Sequence, residues 1–172
     1  MNIDRAKELL SNRGITFHTE EYASEADFWK HIVLFPYTKN AVDCRVITVV
    51  INSNNGHKNL ELQFVEAEGN YAFKELWFGD CSFEAFDYEP DMLEDEIMSD
   101  IEGVMLGDHI AFAINDLNKK QWIGDGLTPK NGGYAEQLKR DARKPKTWKQ
   151  KICKMKLQYE FYDWDNYHKI TK

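Results

Sequence analysis

The chain predicts an α+β fold: an antiparallel, largely meandering sheet of five to seven strands, with helices at the N-terminus, in an acidic central segment and in a basic C-terminal segment. Three observations carry that prediction. Between Cys44 and Tyr88, runs of β-branched and aromatic residues follow one another, separated only by Asn/Gly and Gly/Asp turn signals. Apolar residues with helical spacing stand before, after and beyond these runs. Successive strands joined by short turns favour an antiparallel meander over a parallel, doubly wound sheet.

Each element has its own signal. Asn2 or Asp4 caps a first helix with Ile3, Ala6, Leu9 and Leu10 on one stripe and Gly14 as its stop. Ile15 to Glu20 reads as a short strand. Ser24 to Asp27 resembles a capping box, with Asp in place of Glu, and opens a helix carrying Phe28, Trp29, Ile32 and Val33 that ends before Pro36. Cys44–Asn52 is apolar on both faces, as a central strand requires. Asn59–Glu66 alternates, with Leu60, Leu62 and Phe64 on one face and Glu61 and Gln63 on the other. Tyr71–Phe78 breaks alternation, because Phe73 and Trp77 have one parity and Leu76 and Phe78 the other; a β-bulge or strong twist is expected there. Gly79-Asp80 turns the chain into Cys81–Tyr88.

Pro90 is expected to open a helix from Asp91 to about Val104, burying Leu93, Ile97, Ile101 and Val104. His109–Asn115 reads as a strand and Gln121–Gly124 as its short partner. Gly124-Asp125-Gly126 reads as a turn, and Leu127–Gly133 as a linker or loop. Tyr134–Lys144 and Lys146–Lys156 are expected helices, the second with Trp148, Ile152 and Met155 on one face. Leu157–Trp164 is the closing strand. The organisation expected is an α+β domain over residues 1–126 with an acidic surface, and a basic helical extension over 127–172 packed on the same domain.

Charge is segregated along the chain. Asn59–Glu102 carries fourteen acidic residues against Lys74 alone, whereas Lys130–Lys156 carries ten bases against Glu136 and Asp141; the net charge of −7 hides this polarity. Such fields govern partners and association rates rather than fold. An aromatic content of 13% supplies a core despite 30% charged residues. The amphipathic start MNIDRAKELLSNRG lacks the apolar stretch of a signal peptide, and no run approaches the roughly 20 apolar residues of a membrane span. Cys44, Cys81 and Cys153 are odd in number and far apart, which fits free thiols in a cytoplasmic protein. There is no C-x-x-C or H-x-x-H pairing for zinc, no G-x-S-x-G, and no Walker-type loop. No metal, no cofactor and no catalytic residue is therefore assigned. The five histidines are scattered singly, and Cys81 beside Asp80 sits next to a charge that raises its pKa.

Three function classes follow. The first is a small non-enzymatic inhibitor that neutralises a basic protein partner, a toxin or nuclease. Toxin-immunity proteins and nucleic-acid mimics, of bacterial or phage type, have surfaces of this kind. Its contacts are Glu84, Asp87, Glu89, Asp91, Glu94, Asp95 and Asp100. The second is a nucleic-acid-binding or self-associating module (a homodimer with acidic face on basic face) using Arg143, Lys144, Lys146, Trp148, Lys149 and Lys151. The third is an enzyme whose carboxylate pair has no linear signature. Its mark is two acids converging in one pocket with perturbed pKa values.

Overall fold

The computed structural model describes residues 1–35, 41–84 and 89–172, with Glu84 described by its backbone alone. Two antiparallel sheets share one core. The first is a meander in the order β1-β2-β3-β4-β5: β1 His18–Tyr22, β2 Val46–Ile51, β3 Leu60–Ala67, β4 Asn70–Phe78 and β5 Cys81–Glu84. The second has the order β7-β6-β8-β9: β6 His109–Asp116, β7 Gln121–Pro129, β8 Leu157–Tyr162 and β9 Tyr167–Thr171. The nine described strands correct the expectation of a single sheet of five to seven.

The helices cover these sheets. α1 (Ile3–Asn12) and α3 (Leu93–Met105) pack on one face of the first sheet, contributing Ala6, Leu10, Ile97, Met98, Ile101 and Val104 to a core that also holds Leu60, Leu62, Phe64, Leu76 and Phe78. Each such side chain contributes on the order of 1.5–3 kcal/mol by leaving water, Ala6 less. α2 (Glu25–Ile32) covers the opposite face, where Phe28 and Ile32 meet Val46 and Trp77. Glu61 and Gln63 face that side as their alternation requires, and are buried there. α4 (Tyr134–Arg143) lies on the second sheet, with Ala142 and Leu138 against Phe112, Leu157, Tyr159 and Phe161. α5 is the short turn of helix Trp148–Ile152.

Local chemistry explains most boundaries. Asn2 Oδ1 accepts from the Arg5 amide at 2.9 Å and caps α1. Ser24 caps α2 through the Asp27 amide at 3.2 Å. The expected bulge in β4 is present: Gln63 pairs with Glu75 and Phe64 with Phe73, leaving Lys74 as the extra residue. α3 starts at Leu93, after a turn at Pro90–Met92, and has no side-chain cap. Glu94, Asp95 and Glu96 in its first turn favour the helix dipole instead.

Several expectations in the C-terminal third are overturned. Gly124-Asp125-Gly126 is strand, not turn, and β7 runs on to Pro129 through the expected linker. Gly126 is needed there because a Cβ would lie 2.9 Å from the Phe112 ring. Lys146–Lys156 is helical only over Trp148–Ile152, where Thr147 and Gln150 form a capping box. Trp148 and Ile152 are 75% and 69% exposed. β8 does not close the fold; it lies between β6 and β9.

One side chain fastens the second sheet to the first. Tyr162 at the end of β8 is fully buried, donates its hydroxyl to the Phe78 carbonyl at 3.1 Å and accepts from the Asp80 amide at 2.8 Å. The turn it grips contains Gly79, at φ +58°, where a Cβ would sit 2.7 Å from the Tyr162 ring. Tyr162→Phe removes both hydrogen bonds and leaves the buried Asp80 amide without its Tyr162 acceptor, and is expected to cost about 1–3 kcal/mol. Gly79→Ala combines positive φ with overpacking and is expected to cost at least as much. Urea midpoints of the two variants check both.

Candidate functional site

The acidic stretch is divided among three roles. Glu61, Glu75 and Asp80 are buried and take no part in an outer acidic face. Glu94 and Glu102 hold α1: Arg5 Nε lies 3.0 Å from Glu94 and Arg13 Nε 2.9 Å from Glu102. Both arginines and both glutamates are eight residues apart, so α1 and α3 run side by side in the same direction. Arg13 also relieves the unfavourable placement of Glu102 at the C-terminal end of α3. Glu89, Asp91 and Asp95 remain exposed, and Asp100 is half-buried. Asp87 and the side chain of Glu84 lie outside the described residues. Met1, Arg5 and the segment Pro90–Asp95 surround a depression of about 450 Å³, and Met92 on its wall is 54% exposed.

The basic residues form a projection. Arg143, Lys144, Trp148, Lys149 and Lys151 are exposed along the end of α4 and on α5. Lys146 is committed to the chain itself, donating to the Met155 carbonyl at 2.8 Å. Lys144 pairs with Asp141 at 2.6 Å within α4. The ion pairs of Glu94 and Glu102 thus run to α1 and the segment after it, and that of Lys144 stays local.

A third place was not legible in the sequence. Where the edge of the first sheet meets β7 of the second, Trp29, Val33, Phe35, Trp77, Trp122, Ser82, Asp80 and Asp125 line a cleft of about 180 Å³. α2 supplies Trp29 and the segment just after it Val33 and Phe35; the β4–β5 turn supplies Asp80; β7 supplies Trp122 and Asp125. A second bulge aims the rim: Ile114 pairs with Gly124 and Asn115 with Trp122, so Ile123 is the extra residue. The only linear signal was the pairing of each aspartate with a glycine, and that combination reads first as a turn.

Buried polar networks hold the walls. Glu25 is fully buried and accepts from Lys74 Nζ, from Gln63 Nε2 at 3.2 Å and from the Val42 amide at 2.8 Å. Gln63 in turn accepts from the Trp77 indole at 3.0 Å. Lys74, delivered by the β4 bulge, stands 5.7 Å above the Trp29 ring. On the floor, Lys58 Nζ lies 2.6 Å from Asp80 Oδ2 and 3.4 Å from Glu160. The other oxygen of Asp80, Oδ1, is buried with no hydrogen bond of ordinary geometry among the described residues, though the Leu34 backbone amide favours the charged carboxylate.

Burial raises the Asp80 carboxyl above its ordinary range, against the pull of Lys58. Asp125 is raised to about 6, first by burial and then by the charge of Asp80, while the Trp122 indole opposes the shift. The Cys81 thiol behind them is pushed up to about 12, by burial first and by Asp125 and Asp80 after it, so it is a structural rather than a nucleophilic sulfur. His31 lies 3.6 Å from Glu61, whose hydrogen bond raises its pKa. Cys44, Cys81 and Cys153 are free. Among the described residues no cluster of three or more His, Cys, Asp or Glu is arranged to hold a metal ion, and no helix is long and apolar enough to cross a membrane.

No family model matches the chain, and neither a curated protein nor a solved structure matches it.

The Asp125 shift has a measurable sign. Its folded pKa of about 6 exceeds the ordinary 3.8, so its contribution to stability is present at acid pH and is lost as pH rises through 6. Asp125→Asn should therefore gain urea resistance relative to the parent chain on going from about pH 4.5 to about pH 7.5. A difference between the two proteins that stays constant across that range would contradict the shift.

Proposed function

We propose that this chain is a non-enzymatic binding protein that neutralises a basic protein partner, of the toxin or nucleic-acid-handling class, through the acidic edge around Met92. One observation carries this reading. Asp91 and Asp95 are exposed on the wall of a depression that also carries an exposed methionine, and exposed Glu89 precedes its Pro90; the chain's own arginine in that depression, Arg5, is engaged by Glu8 and Glu94. Methionine is enriched at protein interfaces, and carboxylates around it supply steering for a basic groove. The parallel α1–α3 pair fixes the edge in advance, which lowers the ordering cost of binding. Glu94 serves as a positioning residue that holds Arg5, rather than as a contact.

A second reading rests on a different observation. Trp148 is 75% exposed beside exposed Lys144, Lys149 and Lys151, an arrangement suited to stacking on a base of single-stranded nucleic acid.

The partner is to be captured from source-cell lysate on the immobilised chain and released by a salt gradient. Reversing Glu89, Asp91 and Asp95 together to Lys, with Glu94 kept, should weaken its binding by about 10-fold or more, mainly through a slower on-rate, and flatten the salt dependence. Undiminished affinity would end the reading. Retention on single-stranded DNA that is abolished in Trp148→Ala/Lys149→Glu/Lys151→Glu would move the function to the basic projection.

A further inference from the structure

The cleft between α2, the β4–β5 turn and β7 is built like a ligand site, and its charge is unbalanced. Three carboxylates gather on its floor and just behind: Asp80, Asp125 and Glu160. Lys58 serves Asp80 and Glu160, and Lys169 reaches Glu160 only at 4.0 Å. Among the described residues no ion pair is recorded for Asp125. Asp80 Oδ1 is buried with no hydrogen bond of ordinary geometry among the described residues, although its side chain is only 1% exposed; the Leu34 backbone amide lends the carboxylate partial support. A buried acceptor left in that state is costly unless a donor arrives from outside the chain.

The walls narrow the identity of that donor. Three indoles and a phenyl ring flank the two aspartates. Divalent metal ions want shells of oxygen ligands, and indole walls offer none. Cations with a carbon body want what is here: the faces of tryptophans for the charge and the body, and carboxylates for the N–H groups. The volume, about 180 Å³, falls below the roughly 300–1,000 Å³ of sites for larger small molecules. A single cationic head group with a short alkyl chain is the right scale.

We propose that this cleft binds an organic cation, with its ammonium or guanidinium group against Asp80 and Asp125 and its carbon body between Trp29, Trp77 and Trp122. The site stands on the cleft alone and holds whether or not the acidic edge docks a protein. The cation is either a free small molecule or the side chain of a basic residue on another protein; both present the same chemistry. Glycine at 124 leaves open space above the strand beside Asp125, so access from β7 is not blocked by a side chain there.

The full chain is titrated with butylguanidinium, butyltrimethylammonium, neutral butylurea and the neutral disaccharide cellobiose, by calorimetry and by the indole N–H resonances of the five tryptophans. The indole signals are assigned by single Trp→Phe variants. At least one of the two cations should bind saturably with a dissociation constant of about 1 mM or tighter. The resonances of Trp29, Trp77 and Trp122 should move, and that of Trp148 should not. Asp125→Asn and Trp122→Ala should each weaken binding by about 10-fold. Trp148→Ala serves as the control and should leave it unchanged. Lowering the pH through the Asp125 titration should weaken binding, with Asp80, Cys81 and, beyond Asp80, Lys58 as the groups around it; Asp125→Asn should lose most of that dependence.

Capped arginine and lysine peptides separate the two sources. Peptides that bind as well as butylguanidinium point to a protein side chain, and peptides that fail where the bare cation binds point to a free small molecule. Equal binding of butylurea or cellobiose would overturn the proposal. So would saturable binding untouched by Asp125→Asn and Trp122→Ala, or no saturable binding of either cation up to about 10 mM. Urea midpoints of each variant confirm that it is folded before its result is counted.

Discussion

The hydroxyl of Tyr162 is the constraint on which the arrangement of the two sheets rests. It completes the hydrogen bonding of a turn that belongs to the other sheet, accepting from the Asp80 amide and donating to the Phe78 carbonyl. Its ring stands edge-on to Phe78 at 5.2 Å between centroids, and the Cys81 sulfur lies 3.7 Å from its oxygen. The turn accepts the ring only because position 79 carries no Cβ. The β4–β5 turn is thereby fixed in place, and Asp80 with it. The cleft exists because a strand late in the chain fixes a turn near its middle.

Burial of charge follows the same logic under α2 and at the junction of the two sheets. α2 carries Glu25 into the interior, and the chain meets it with Lys74, Gln63 and the Val42 amide. Where the two sheets meet, Lys58 joins Asp80 of the β4–β5 turn to Glu160 of β8. Removing one partner from such a set leaves a buried charge uncompensated, so these networks specify geometry more than they add stability. Both bulges serve this end: one brings Lys74 to Glu25, and the other brings Trp122 to the cleft rim.

Much of the first sheet was legible in the sequence, since alternation in Leu60–Phe64 and its breakdown around Lys74 have direct structural counterparts. The second sheet was harder to read. β9, with the sequence YHKIT, is largely exposed and carries little apolar periodicity. In β7, the glycines suggested a turn, because their purpose, room for the Phe112 ring, depends on a strand that pairs beside them. Pro90 and the apolar stripe Leu93, Ile97, Ile101 and Val104 located α3, but composition alone could not separate acids held by α1 (Glu94, Glu102) or buried inside (Glu61, Glu75, Asp80) from those left exposed. The cleft left no linear trace, because its residues come from segments spread between Trp29 and Asp125 and meet only through tertiary packing.

Chain order gives the Tyr162 contact a further meaning. Asp80 leaves the ribosome 82 residues before the hydroxyl that satisfies its amide, and Phe78 84 residues before it. A nascent chain can form the five-stranded meander, because its pairings are all between neighbours in sequence. Its final turn nevertheless waits, with the aspartate and the cysteine that β8 will cover still open to water. The growing protein is thus held in a half-built state while some 82 further residues are added. In that interval the edge at β5 is the surface a chaperone would meet, or one on which a second nascent chain would pair.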